Sequence, residues 1–204
     1  MEVLEDHFVT TSNLCEVAAE IQRSSFAVHK VAPPTARKLK QAWREAVEVM
    51  NQTPHHGWTK IVDGHLHGYH VPSRAKRLFR AFPFSSEQPW PDENFRRISQ
   101  SVAEDLYEIL VGCLTNLKEI NSAENNVKRE ENETSPDRGQ SHKRPRLHTP
   151  FATCPGSLTF SLDTTRCPLD YFLYHNEDPN AVNCSEHVDR GLLIAVSLTD
   201  VTRT

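Results

Sequence analysis

The sequence has no apolar run approaching the ~20 residues that cross a bilayer, which argues against a membrane-spanning helix. It has no excess of positive charge. The formal net charge is −4 and the isoelectric point near 6.3, so no global basic field points to nucleic acid. It has no Cys-x-x-Cys pair. The five cysteines, Cys15, Cys113, Cys154, Cys167 and Cys184, are odd in number and scattered. With no leader pattern at the start of the chain, reduced thiols in the cytosol or nucleus are the expectation. The chain is also poor in apolar residues, at 37% with a mean hydropathy of −0.57. A chain of 204 residues is long enough to bury one core, but this composition predicts that part of it is not packed.

Along the chain, Leu14, Val17, Ala18 and Ile21 recur at helical spacing, so Asn13 to Ser25 reads as a helix. Asn13 with Glu16 three positions on resembles a capping box. Ser25 to Val31 reads as a short strand stopped by Pro33-Pro34, and Thr35 as the cap of a second helix reaching Met50. That helix has Ala36, Leu39, Trp43, Ala46, Val47 and Met50 on one side. Asn51 to Pro91 reads as loop, rich in Pro, Gly and His. Asp92 to Ile120 reads as a long helix whose buried face runs Phe95, Ile98, Val102, Leu106, Ile109, Leu110, Cys113 and Leu117.

Residues 121–149 are rich in Asn, Glu, Lys, Arg and Ser and nearly lack large apolar groups. They cannot bury enough surface to offset their ordering entropy, so this stretch reads as a disordered insertion. Strand patterns follow at Ser157–Leu162, Leu169–His175 and Leu192–Leu198, the last branched and apolar as an interior strand is. Helices first and strands afterwards indicate an α+β fold. The divisions are 1–120, mainly helical; 121–149, the insertion; and 150–204, a β region.

The most informative segment is Cys184-Ser-Glu-His187-Val-Asp189-Arg-Gly191-Leu-Leu193. Residues two apart on a strand point to one face. His187 and Asp189 therefore offer an imidazole and a carboxylate to one ion, two thirds of the facial triad of non-haem Fe(II) oxygenases. A bare H-x-D carries little information in a chain with 11 histidines, and His175-Asn-Glu177 is a similar pattern. The surrounding spacing is what adds specificity.

In that spacing the chain resembles the 2-oxoglutarate- and Fe(II)-dependent dioxygenases, in their isopenicillin-N-synthase-like, plant-type branch. That family carries H-x-D-x-G-x-L followed by an apolar strand and an Asp-Val turn. Here His187, Asp189, Gly191 and Leu193 fall in order, then Ile194–Leu198, then Asp200-Val201. Upstream, Tyr174 closes Asp-Tyr-Phe-Leu-Tyr and resembles the family's co-substrate-contacting tyrosine. Where the family has an Asn before that tyrosine and a Pro after it, this chain has Phe172 and His175. The helix, the Phe26-x-Val28 strand, the second helix and the long helix follow the family's order without a diagnostic motif.

The resemblance implies N-terminal helices packed on a partial double-stranded β-helix (jelly roll), incomplete at the C-terminus. It implies Fe(II) held by His187 and Asp189, 2-oxoglutarate contacted by Tyr174, and hydroxylation of a small-molecule substrate in complete relatives. The family's second metal-binding His and its 2-oxoglutarate-pairing Arg fall after the H-x-D at positions beyond Thr204. The 204 residues are therefore expected to be inactive alone. The alternative is a non-catalytic truncated isoform or pseudoenzyme that acts as a protein-interaction module.

Other features read blandly. Lys143-Arg144-Pro145-Arg146 is a solvated basic patch or a nuclear import signal through Lys143, Arg144 and Arg146. Ser135-Pro136 and Thr149-Pro150 are candidate phosphorylation sites. His55, His56, His65, His67 and His70 lack the spaced partners of a zinc site. Cys184 reads as a buried small hydrophobe, Arg190 as solvent-facing, and Phe79, Phe82, Phe84 and Trp90 as packing.

Overall fold

The computed structural model describes residues 10–52, 56–73, 76–133, 163–174 and 193–196. Among them the architecture is α+β, three helices packed with a four-stranded antiparallel sheet.

Strand β1 (Thr10–Thr11) leads into α1 (Leu14–Ser24). Asn13 caps α1 as its sequence predicts: its Oδ1 accepts from the Cys15 N–H at 3.0 Å and its amide donates to Glu16 at 3.4 Å. Ser25, at φ 68°, ends the helix in the left-handed conformation. The strand expected over Ser25–Val31 shrinks to β2 (Val28–His29), paired in parallel with β1.

Helix α2 spans Pro33–Asn51. Its start corrects the reading of Thr35 as the cap. Ala32 is the cap residue, and Pro33 and Pro34 occupy the first turn, where a missing N–H costs nothing. Thr35 lies inside the helix. Its hydroxyl donates to Asp105 at 2.8 Å, beside Lys38 Nζ at 2.7 Å, and this joint ties α2 to α3. The Lys38 and Thr35 hydrogen bonds hold the Asp105 carboxyl below its usual range.

The stretch read as loop carries strands instead: β3 (Thr59–Val62), β4 (His65–Ser73) and β5 (Lys76–Ala81). The β3–β4 connection is Asp63-Gly64, both at positive φ (50° and 79°), the two-residue turn that matches strand twist. That dipeptide between two β-rich runs was the available signal. The histidines and glycines around it obscured the alternation.

Helix α3 runs Glu93–Glu133, capped by Asp92, whose carboxylate accepts from the Phe95 N–H at 2.8 Å. It corrects the disordered reading of 121–133, because an already nucleated helix propagates cheaply through Ala, Glu, Lys and Arg even without apolar anchors. Residues 134–149, with Lys143, Arg144 and Arg146, lie outside the described residues, as does Ser157–Leu162.

Strand β6 (Leu169–Tyr174) returns after α3 and adds to β5, giving the sheet order β3-β4-β5-β6. Of Leu192–Leu198, residues 193–196 are described and form no strand. Ile194 and Val196 are 50% and 77% exposed, since an apolar run becomes a strand only with a neighbour for its backbone, and no described strand supplies one.

The core lies between the sheet and α2 and α3. Ala42, Ala46, Val49 and Met50 of α2 face Tyr69, Phe79, Ala81 and Tyr171 of the sheet, with Phe95 and Val102 of α3. Phe95 is its hub, its ring centroid 5.0 Å from Phe79, 5.8 Å from Trp90 and 5.4 Å from Tyr171. The packing reading of Phe79, Phe82 and Trp90 therefore holds. No helix of the described residues is long and apolar enough to cross a membrane.

Candidate functional site

Strand alternation separates the two faces of β6. Tyr171 points into the helices. Its hydroxyl shares a 3.0 Å hydrogen bond with that of Ser99, and burial pushes its ionisation up to about 12, so it stays a neutral phenol. Asp170, Phe172 and Tyr174 point away from the helices.

On that outer face three cross-strand pairs stack along β5 and β6: Arg80 with Asp170, Leu78 with Phe172, and Lys76 with Tyr174. Arg80 grips Asp170 through two hydrogen bonds, Nε at 2.8 Å and Nη2 at 2.6 Å, and that fork raises its already high proton affinity. Two residues along, the rings of Phe172 and Tyr174 stack with centroids 6.2 Å apart. Lys76 Nζ sits 4.5 Å above the Phe172 ring and 5.3 Å from the Tyr174 ring. Tyr174, the expected co-substrate contact, is 37% exposed at the end of this face.

His187 and Asp189, the expected metal ligands, lie outside the described residues, as do His175, Glu177, Cys184 and Arg190. The structure therefore places one of the three expected site residues, Tyr174. Sequence reasoning missed Lys76, the cross-strand partner of Tyr174, and the Arg80–Asp170 pair farther along the same face. Only the pairing of β5 with β6, separated in sequence by α3, sets Lys76 opposite Tyr174 and Arg80 opposite Asp170.

At the far side of the sheet, His65 and His67 share a face of β4, as expected for an extended chain. No group of three or more metal-ligating side chains forms among the described residues. His67 is 4% exposed and stacks on Phe82 with centroids 4.1 Å apart. Its Nδ1 has no hydrogen-bond partner. Burial pulls its proton affinity down, helped by His65 and Lys60 and opposed by Asp63 and Gln88. This imidazole is buried and stacked on Phe82, and its burial disfavours the charged form.

No family model matches the chain, nor does any curated protein or solved structure.

Proposed function

We propose that the chain is an oxygenase of the non-haem Fe(II)/2-oxoglutarate type, with His187 and Asp189 as metal ligands and Tyr174 facing the co-substrate. An imidazole and a carboxylate two positions apart form a donor pair suited to Fe(II). With 2-oxoglutarate and O₂, that ion supplies oxidative decarboxylation coupled to hydroxylation of a substrate.

The single observation that carries the reading beyond sequence spacing is the direction of Tyr174. It lies on the sheet face turned away from the helices, 37% exposed at the end of β6. In a jelly roll this face would look toward a second sheet. Half-buried Phe172 and buried Leu78 on it suit such a partner layer. The chain's own residues then have distinct tasks. Tyr174 offers a phenol at the mouth. Phe172 and Leu78 exclude water beside it. Tyr171, locked to Ser99, fixes the strand that carries them.

A second reading keeps the ancestry without turnover, as a protein-interaction module. An anaerobic titration with Co(II), followed by its visible spectrum, tests the first reading. Binding lost in both His187→Ala and Asp189→Ala is the expected result, and binding unchanged in both variants rejects it. Release of succinate from 2-oxoglutarate by the 204-residue polypeptide, sensitive to the same substitutions, rejects the second.

A further inference from the structure

We infer that residues 84–89, between β5 and α3, form an acid-released strap: Gln88 pins it against the β3–β4 hairpin while His67 is neutral, and the pin withdraws when His67 takes up a proton. This device stands apart from the oxygenase reading and needs none of its residues.

The strap is fixed at both ends. At one end the Pro83 carbonyl accepts from Gln100 of α3 at 2.8 Å. At the other, the Trp90 ring packs on Phe95 and Phe79, with centroids 5.8 and 6.2 Å away. Between them, Gln88 alone of residues 84–89 is buried. Its Oε1 accepts from the Phe82 N–H at 2.9 Å, and its Nε2 donates to the carbonyls of Pro89 at 3.0 Å and Arg80 at 3.4 Å. Glu87 beside it pairs with Lys60 of β3. A span with so few buried apolar contacts opens more readily than the core around it.

The pin lies beside an unfinished hydrogen-bonding site. His67 stacks on Phe82 at 4.1 Å, and its Nδ1 has no partner among the described residues. The ring's side-chain hydrogen bond is with Gln88. A neutral imidazole carries one N–H and an imidazolium carries two. Gln88 has a single carbonyl oxygen, already accepting from Phe82, so it cannot serve both. The charged ring is one acceptor short in a buried place, where an unsatisfied charge is costlier than an unsatisfied neutral group.

Burial opposes a charge on His67 most, followed by His65 of β4 and Lys60 of β3, while Asp63 of the turn and Gln88 favour it. Glu87 of the strap also feels His67, but it is held by Lys60. Stacking on Phe82 favours the imidazolium as well, without supplying the missing acceptor. Lifting Gln88 lets water reach Nδ1 and supply it. The sign follows from the lowered proton affinity of the closed state. The strap is shut above the ordinary imidazole value of about 6.5, and is released as the pH falls through the lower closed-state value. The bland alternative is a buried histidine whose protonation weakens the whole fold evenly.

Hydrogen exchange of the ¹⁵N-labelled 204-residue chain between pH 7.5 and 5, expressed as protection factors, separates the two. The Phe82 amide, bonded to Gln88, and the Gln88 amide, bonded to Ser85, are expected to lose protection several-fold as the pH falls. The Phe95 amide, held by Asp92, is expected to keep its own. His67→Phe keeps a ring on Phe82 and cannot titrate, and its strap is expected to stay protected at both ends of the range. In wild type, the midpoint read from the carbon-bound ring protons of His67 is expected to coincide with the loss at Phe82, a check that needs no variant to fold. The inference is overturned if Phe82 stays protected while His67 titrates, if His67→Phe loses protection equally, if Phe82 and Phe95 lose it together, or if His67 remains neutral at pH 5.

Discussion

Replacing Phe95 by alanine tests whether one ring joins the helical layer to the sheet. Phe95 is fully buried and touches Phe79 of β5, Trp90 of the preceding loop and Tyr171 of β6, at centroid distances of 5.0, 5.8 and 5.4 Å. Truncating a buried phenylalanine costs about 3–5 kcal/mol, as lost transfer energy plus a cavity that neighbours only partly fill. Three rings facing the void place this site at the upper end, because stiff aromatic side chains relax poorly into a hole. Domains of this size are stable by roughly 5–15 kcal/mol, so the change removes a large share. At about 2–4 °C per kcal/mol, the melting temperature falls by about 6–20 °C. Urea denaturation followed by tryptophan fluorescence gives the free energy directly, since Trp90 packs on the same ring. Phe95→Leu, which keeps most of the volume, is expected to lose less than half as much. A loss below about 1 kcal/mol for Phe95→Ala would refute the placement of Phe95 as the hub, because no fully buried aromatic comes out that cheaply.

Gly68→Ala is expected to destabilise by at least about 2 kcal/mol. Gly68 sits at φ 91°, and an added Cβ would fall 1.7 Å from the Trp58 carbonyl oxygen, so backbone has to move; a melting temperature equal to wild type contradicts the β3–β4 pairing as described. The buried His67 makes stability depend on pH with a definite sign. Its folded-state proton affinity lies below that of the unfolded chain, which titrates near about 6.5. Its neutral form therefore contributes stability that is fully present above that pH and is lost as the pH falls through it toward the lower folded value. Urea midpoints at pH 7.5 and 5.5 are expected to differ more for wild type than for His67→Phe, which keeps the stacking on Phe82 but cannot titrate. Equal pH dependence in the two proteins excludes the assignment.

Local chemistry was legible in the chain itself. The Asn13 cap, the apolar stripes of α1, α2 and α3, and the strand ending at Tyr174 all follow from spacing and hydrogen-bonding capacity within a few residues. The α+β class follows from the same patterns, and so does the packing role of Phe79 and Trp90. The hairpin of β3 and β4 was written in Asp63-Gly64 but hidden by a run of histidines and glycines that blurs alternation. Propensity alone misplaced the end of α3, because cooperative propagation from a packed helix overrides the weak preference of a polar tail.

Other features depend on distance through space and had no local signal. Tertiary pairing set β6 against β5 across the whole length of α3, and that pairing decided that Arg80 meets Asp170 and that Lys76 lies over Phe172 and Tyr174. It also decided that Tyr171 is buried against Ser99 while Tyr174, three residues on, faces outward. The sequence could nominate His187 and Asp189 by type and spacing, and Tyr174 by family resemblance, since ligand chemistry is a property of the residues. Which charge stands beside Tyr174 is a property of strand register, and register is settled by which face the helices cover.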